Sequence, residues 1–204
     1  MSKFITTLWI FILVVSGTGS AVAQIEVEVE EHIGQKIPLD LSFVDHEGTK
    51  RPLSSVLHDG KPTVLTLVYY NCPLLCNLLL NGFVAGLNQG TGIPNGGLDV
   101  VTVSIDPRET PELGKAKRSG YLEQLAQNKV LGNWTFMTGS GSPIRSLARS
   151  VGFKYRFDNE TTEYLHPATI VFLNGEGTIV RYLHGTYFPP NQLRLAWIEA
   201  GGGD

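Results

Sequence analysis

The sequence predicts an α/β fold in which helices cover both faces of a mixed central sheet. Two observations lead to this prediction. From residue 39 to residue 152, apolar runs of strand length alternate with helical periodicity, which is typical of strands connected by helices. From residue 168 to residue 200, two further strands joined by a tight turn precede a last helix. Such a hairpin adds antiparallel strands, so we expect a mixed sheet.

Strands are predicted where β-branched, aromatic and other apolar residues form runs bounded by glycine, proline or polar clusters. The first run leads into a turn at Glu47–Gly48, and the last two are joined by the turn Asn174–Gly177. In chain order the predicted strands are 39–48, 63–70, 98–106, 134–139, 153–158, 168–174 and 177–185.

Helices are predicted where apolar residues recur at helical spacing and the flanking residues are suitable caps. Cys72 is the expected N-cap of the first helix, with Pro73 at its first position. Thr110 and Pro111 play the same roles in the second helix. In chain order the predicted helices are 73–87, 110–128, 142–152 and 189–200.

Residues 1–23 are typical of a secretory signal peptide. Lys3 supplies positive charge, and the apolar run Phe4–Val15 is too short for a comfortable membrane span. Small residues then allow cleavage after Ala23. A membrane anchor that is not cleaved is the alternative. We therefore expect one domain, residues 24–204, exported to the periplasm or a comparable compartment where disulfides can form.

The charge of the chain argues against a nucleic-acid partner. There are 16 lysine and arginine residues against 19 aspartate and glutamate residues, and no basic block. Nucleic-acid binding needs concentrated positive charge, which this sequence lacks. A domain of about 180 residues can also build a full hydrophobic core without a disulfide.

Both cysteines lie in one short segment, between a predicted strand and a predicted helix. Cys76 would lie one helical turn after Cys72, with their Cβ atoms about 5–6 Å apart. Free N–H groups at a helix N-terminus stabilise a thiolate, so we expect a lowered pKa for Cys72. A thiolate serves both disulfide exchange and the binding of soft metal ions. The residues alone leave three interpretations open: a local structural disulfide, a redox couple and part of a metal site.

A third metal ligand would have to come from elsewhere in the chain. His32, His46 and His58 lie in polar segments and are expected at the surface, and His184, at a strand end, is expected at the surface or beside the site. His166 directly precedes an apolar strand. Its position alone is compatible with an ordinary loop histidine or with a site residue.

Three segments follow one another in a distinctive order: YYNCPLLCN at 69–77, VSIDPRETP at 103–111 and LHPATIVFL at 165–173. In this combination the chain resembles the Sco (SenC) family of thioredoxin-like copper proteins. The resemblance extends from about residue 34 to residue 200.

The resemblance implies a thioredoxin-like fold and one copper ion bound by Cys72, Cys76 and His166. It also implies a metallochaperone role, in which the reduced cysteines carry the ion and their disulfide cannot. The implied client is the copper-bearing subunit of a respiratory cytochrome oxidase or another copper protein, and no small-molecule substrate is implied.

The chain departs from the family pattern at several positions. Asn77 follows the second cysteine, where the family often has proline, and Leu165 precedes the histidine, where the family often has aspartate. Glu109–Thr110 replaces the usual Asp-Thr one residue sooner. Asp106 is matched, and we expect it to cap the turn before the second helix or to contact the site or a partner.

The alternative function is an exported thiol–disulfide oxidoreductase or a thioredoxin-like peroxidase. Cys72 would be the attacking thiolate and Cys76 the resolving thiol. This chemistry would not need His166.

Overall fold

The computed structural model describes residues 27–57, 60–125 and 129–201. The predicted signal peptide, residues 1–23, and His58 lie outside these ranges. The boundary between signal peptide and domain therefore stays a prediction. None of the helices in the described ranges combines the length and hydropathy that crossing a bilayer requires.

The described part of the chain forms nine strands, four α-helices and one 3-10 turn, Leu53–Ser55. The strands are β1 (Ser42–Asp45), β2 (Lys50–Pro52), β3 (Thr63–Val68), β4 (Leu98–Ser104), β5 (Leu131–Thr138), β6 (Arg156–Asp158), β7 (Glu163–Leu165), β8 (Thr169–Leu173) and β9 (Ile179–His184). The helices are α1 (Leu75–Asn88), α2 (Pro111–Gln124), α3 (Gly141–Ser150) and α4 (Pro190–Glu199).

Seven of the described strands form a mixed sheet in the order β2-β1-β5-β4-β3-β8-β9. The three central strands β5, β4 and β3 are parallel, because α1 and α2 connect them as crossovers. The flanking strands β1 and β8 are antiparallel to their central neighbours. Strands β6 and β7 form a separate hairpin. The predicted mixed sheet is thus confirmed.

Helices α1, α2 and α4 cover one face of the sheet. The ring centroid of Trp134 on β5 lies 6.1 Å from that of Phe83 on α1 and 5.5 Å from that of Tyr121 on α2. The ring centroid of Phe83 also lies 6.4 Å from that of Phe188, two residues before α4. These large rings are buried and bind the three helices to the sheet.

Helix α3 covers the opposite face. Thr102 on β4 accepts a hydrogen bond from the indole of Trp134, so it points toward the face that carries α1. Side chains alternate along a strand, and Ile105 therefore points the other way, where it lines a cavity with Ala148 of α3. The predicted arrangement, with helices on both faces, is correct.

The order of the strands brings distant parts of the chain to one edge. Val68 pairs with Ser104 at the carboxyl ends of β3 and β4. Because β8 is antiparallel to β3, with Thr66 opposite Ile170, its amino end lies at the same edge. The residues that follow β3 and β4 and those that precede β8 therefore become neighbours.

The sequence analysis missed the short strands β2 and β7. Strand β2 is the edge strand Lys50-Arg51-Pro52, which pairs with β1 and needs no apolar pattern because it is largely exposed. Strand β7 pairs with β6 alone in the described chain, outside the main sheet. Without a face buried against the core, neither strand leaves a periodic signal.

Several predicted boundaries also shift, among them the starts of β5 and α3. Strand β5 begins three residues before the predicted start, at Leu131. Helix α3 begins at Gly141 with Ser140 as its N-cap, so Pro143 lies inside the first turn rather than at the first position. Proline is acceptable there because the N–H groups of a first turn have no intrahelical acceptor.

Gly82 should be essential for the packing of α1. A Cβ atom at this position would lie 1.8 Å from the backbone oxygen of Thr186. Backbone cannot yield as a side-chain tip can, so Gly82→Ala should lower the free energy of unfolding by about 3 kcal/mol in urea denaturation.

Gly120→Ala on the exposed side of α2 is the matched control, since no atom lies within 4 Å of its Cβ position. It should raise the free energy of unfolding by up to about 1 kcal/mol through helix propensity. Equal losses in both variants would contradict the close approach at Gly82.

Candidate metal centre

Three side chains from three segments meet at the sheet edge where β3 and β4 end. Cys72 lies in the turn after β3, Cys76 in the first turn of α1 and His166 in the loop before β8. One ligand atom of each lies within 4.8 Å of the other two. The distance between Cys76 Sγ and His166 Nε2 is 3.0 Å. All three residues are buried, and both cysteines are free thiols.

The predicted N-cap role of Cys72 is wrong, because α1 begins two residues later than expected. Its N-cap is Leu74, whose φ of −138° and ψ of −71° are not helical. Pro73 disfavours helical backbone at the residue before it, which keeps Cys72 outside the helix. The sulfur of Cys72 nevertheless accepts the N–H of Cys76 at 3.2 Å. A free N–H of the first turn is thus satisfied by sulfur.

The two thiols differ strongly in acidity. The pKa of Cys72 is lowered, chiefly because the thiol of Cys76 hydrogen-bonds to its sulfur and secondarily because His166 does. The pKa of Cys76 is raised, first by burial and then by its interaction with Cys72. The pair therefore loses its first proton easily and holds its second one tightly.

The imidazole of His166 is oriented by its own loop. Its Nδ1 lies 2.9 Å from the carbonyl oxygen of Pro167, which can only accept, so Nδ1 donates a hydrogen bond to it. The other ring nitrogen, Nε2, faces the sulfur of Cys76 at 3.0 Å. The imidazole stacks on the ring of Phe153, with 6.0 Å between the centroids, and makes an edge-to-face contact with Tyr69, with 5.9 Å between the centroids. The carbonyl of Pro167 thus orients the imidazole, although Leu165 lies where we expect many family members to have aspartate.

The carboxylate of Glu109 fixes the backbone that carries Cys72. It is 9% exposed, and its two oxygens accept the N–H groups of Tyr70 and Asn71, both at 2.7 Å. The hydroxyl of Ser104 donates to it at 2.5 Å. The sequence analysis did not assign this role, although an acidic residue soon after a buried strand was a usable signal.

Asp106 has the first of its two expected roles, the turn cap. Its Oδ1 accepts the N–H of Arg108 at 2.9 Å, and its carboxylate pairs with the guanidinium at 2.8 Å. That guanidinium lies 5.1 Å from the ring of Phe157 on β6 and 5.9 Å from that of Tyr164 on β7. The loop after β4 is thereby joined to the hairpin that leads to His166.

The other described histidines do not reach the site. His46 is not at the surface as expected: its side chain is 11% exposed, and its Nδ1 accepts the N–H of Phe136 at 3.3 Å. His32 is half-buried, with Nδ1 3.0 Å from the carbonyl oxygen of Ser150. His184 is exposed and lies 2.7 Å from Glu31, as expected for a surface residue. His58 is outside the described residues.

Comparison with known proteins gives one family. A sequence model described as SCO1/SenC matches residues 30–196. No curated protein sequence matches the chain.

Three solved structures with similar folds have low sequence identity. A protein of Aquifex aeolicus VF5 described as an electron transfer protein has a TM-score of 0.70 and 22% identity, over 82% of this chain and 94% of that one. Arabidopsis thaliana ScoI, solved with copper bound, has a TM-score of 0.63 and 20% identity, over 82% and 97%. BsSco, described as a member of the Sco family of cytochrome c oxidase assembly proteins, has a TM-score of 0.62 and 15% identity, over 85% and 98%. They confirm the thioredoxin-like fold.

Replacing the carboxylate of Glu109 should loosen the loop between β3 and α1. In Glu109→Gln, one of the two backbone donors faces an amide NH₂ instead of an acceptor. The free energy of unfolding should fall by about 2 kcal/mol in urea denaturation. Glu160→Gln, at an exposed acid in the β6–β7 turn, is the control and should change it little. A loss that is the same in both variants would exclude a role for the buried hydrogen bonds.

The lowered pKa of Cys72 should appear in its reactivity. A lowered pKa keeps the thiolate populated as pH falls, so alkylation by iodoacetamide should slow by less than about twofold from pH 8 to pH 6. An ordinary thiol would slow roughly a hundredfold over this range. Mass spectrometry of the modified peptide measures the rate at each pH. A Cys72→Ser variant should lose the fast reaction, and a hundredfold slowing in the parent would refute the assignment.

Proposed function

Because the chain belongs to the SCO1/SenC family, we propose that it binds one copper ion through Cys72, Cys76 and His166. The observation that carries the proposal is the convergence of three buried ligand atoms within 4.8 Å, from segments far apart in the chain. A structural disulfide would need only the two cysteines. The directed approach of an imidazole nitrogen to sulfur favours a metal.

The donor set selects the kind of metal. Two thiolates are soft ligands that suit Cu(I), and the added imidazole also makes Cu(II) tolerable. The orientation of His166 supports this, since Nδ1 is held by a carbonyl and Nε2 faces the sulfur of Cys76. Arabidopsis thaliana ScoI, which shares the fold, was solved with copper bound. The residues present therefore fit copper as a cargo.

Copper carriage would depend on the redox state of the cysteines. Both are reduced in the structure, and only reduced thiols offer thiolate ligands. Oxidation to a disulfide would remove both sulfur ligands at once. The competent carrier is therefore the reduced protein.

The client and the compartment are further parts of the proposal. We infer delivery of copper to, or reduction of the thiols of, the copper site of a respiratory cytochrome oxidase, supported by the description of BsSco as an oxidase assembly protein. The signal-like residues 1–23 support export to the periplasm, with the uncleaved anchor as the alternative.

Copper titration tests the proposed ligands directly. The reduced protein should bind one equivalent of Cu(I) in competition with a chromophoric chelator, and the oxidised protein should bind none. Cys76→Ser should abolish tight binding, and His166→Ala should weaken it by about tenfold or more. His184→Ala, at an exposed histidine, is the control and should bind as the parent does. Unchanged affinity in His166→Ala would contradict the three-ligand site.

The second candidate is a thiol–disulfide oxidoreductase. The lowered pKa of Cys72 beside a thiol with a raised pKa favours it, because an attacking thiolate and a resolving thiol are what exchange requires. Reduction of insulin disulfides separates the two candidates. If the copper proposal is right, the parent binds copper and His166→Ala loses affinity for it. If instead the parent binds no copper and His166→Ala keeps high reductase activity, the protein is an oxidoreductase.

A further inference from the structure

We propose a second binding site, for a small amphipathic anion, in the cavity beneath α3 on the face of the sheet opposite α1. The ligand class is an apolar body with a carboxylate or sulfonate head. The cavity has a volume of about 520 Å³ and lies between α3, the residue after β4 and the β6–β7 hairpin. Clefts of this size commonly hold drug-sized ligands.

The walls of the cavity suit an apolar body. Ile105 and Ala148 contribute aliphatic surface, and Phe153, Phe157 and Tyr164 contribute aromatic rings. Ile105, Ala148 and Phe153 are almost fully buried and belong to the hydrophobic core. The ring centroids of Phe157 and Tyr164 lie 5.0 Å apart, and those of Phe153 and Tyr155 lie 6.1 Å apart.

The rim of the cavity carries more positive than negative charge. Arg145 and Arg149 on α3 and Arg156 on β6 line it, and none of their guanidinium groups has a hydrogen bond or ion pair with a described residue. The carboxylate of Glu30 also lines the cavity; it lies 3.5 Å from Lys154, which also pairs with Glu28, and 3.8 Å from His32. The protein as a whole is acidic, so three unpaired arginines around one apolar cavity are a local excess. Guanidinium groups bind carboxylate and sulfonate through paired N–H donors.

The dimensions favour a small molecule over a protein partner. A stable protein interface covers about 800 Å² on each partner. The apolar walls and the three arginines are confined to one cavity and its rim. The combination of apolar walls and unpaired cations at the rim matches an amphipathic anion, which would bury its body and keep its head at the arginines.

A fluorescence titration of the mature protein with 8-anilinonaphthalene-1-sulfonate tests the site. We expect saturable binding of one equivalent. The double variant Arg145→Gln/Arg149→Gln should raise the dissociation constant by about tenfold, because charge-assisted hydrogen bonds to the head are lost. The control is Arg181→Gln/Arg194→Gln, which removes the same charge from β9 and α4 and should bind as the parent does. Unsaturable binding, or equal affinity in both double variants, would overturn the proposal.

Displacement of the dye from the unmodified protein gives an independent test of the head group. Dodecanoate should displace the dye at a concentration at least about tenfold lower than dodecanol, which has the same chain without the charge. Equal potency of the two would overturn the anion assignment, whatever the fate of the arginine variants. Binding to phosphatidylglycerol vesicles without binding to free dodecanoate would overturn the small-molecule assignment and point to a membrane surface.

Discussion

The candidate metal centre depends on one constraint, the position of β3 between a parallel and an antiparallel neighbour. The parallel pairing with β4 brings the segments that follow both strands to the same edge. The antiparallel pairing with β8 brings the loop that precedes β8 to that edge as well. Cys76 and His166, 90 residues apart in the chain, come within 3.0 Å for this reason. Any change of register along β3 would separate them, since a shift of one residue reverses every side chain.

Buried polar groups then convert this rough proximity into a defined geometry. Glu109 satisfies two backbone N–H groups just before Cys72, and the carbonyl of Pro167 orients the ring of His166. Leaving such groups unpaired in a buried site would cost about 1–3 kcal/mol each, so the loops have few alternative conformations. The sulfur atoms receive the N–H groups of Tyr69 and Cys76, which hold them in place without a metal.

Much of the fold could be predicted because buried strands and amphipathic helices leave periodic patterns. The central strands β3 and β4 and the start of α2 at Pro111 follow directly from apolar runs and from the Thr110-Pro111 cap. Strands β2 and β7 could not be predicted in this way, because an exposed edge and an isolated hairpin bury no regular face. The start of α1 was misplaced because a proline at 73 is compatible with a first helical position and with the turn before it.

The local sequence was sufficient to indicate a cysteine pair between a strand and a helix and a protein with net negative charge. It was not sufficient to assign His166 or Glu109, because a ligand or a buried carboxylate acquires its role from neighbours far away in the chain. The family resemblance identified His166 as a ligand, and the order of the strands explains why it lies close to the sulfur of Cys76. The cavity lined by Arg145, Arg149 and Arg156 was not predicted, because Ile105 and Tyr164 reach the segment that carries these arginines only through tertiary packing. Local chemistry is encoded by adjacent residues, whereas the position of a site is decided by strand pairing between segments that the sequence separates.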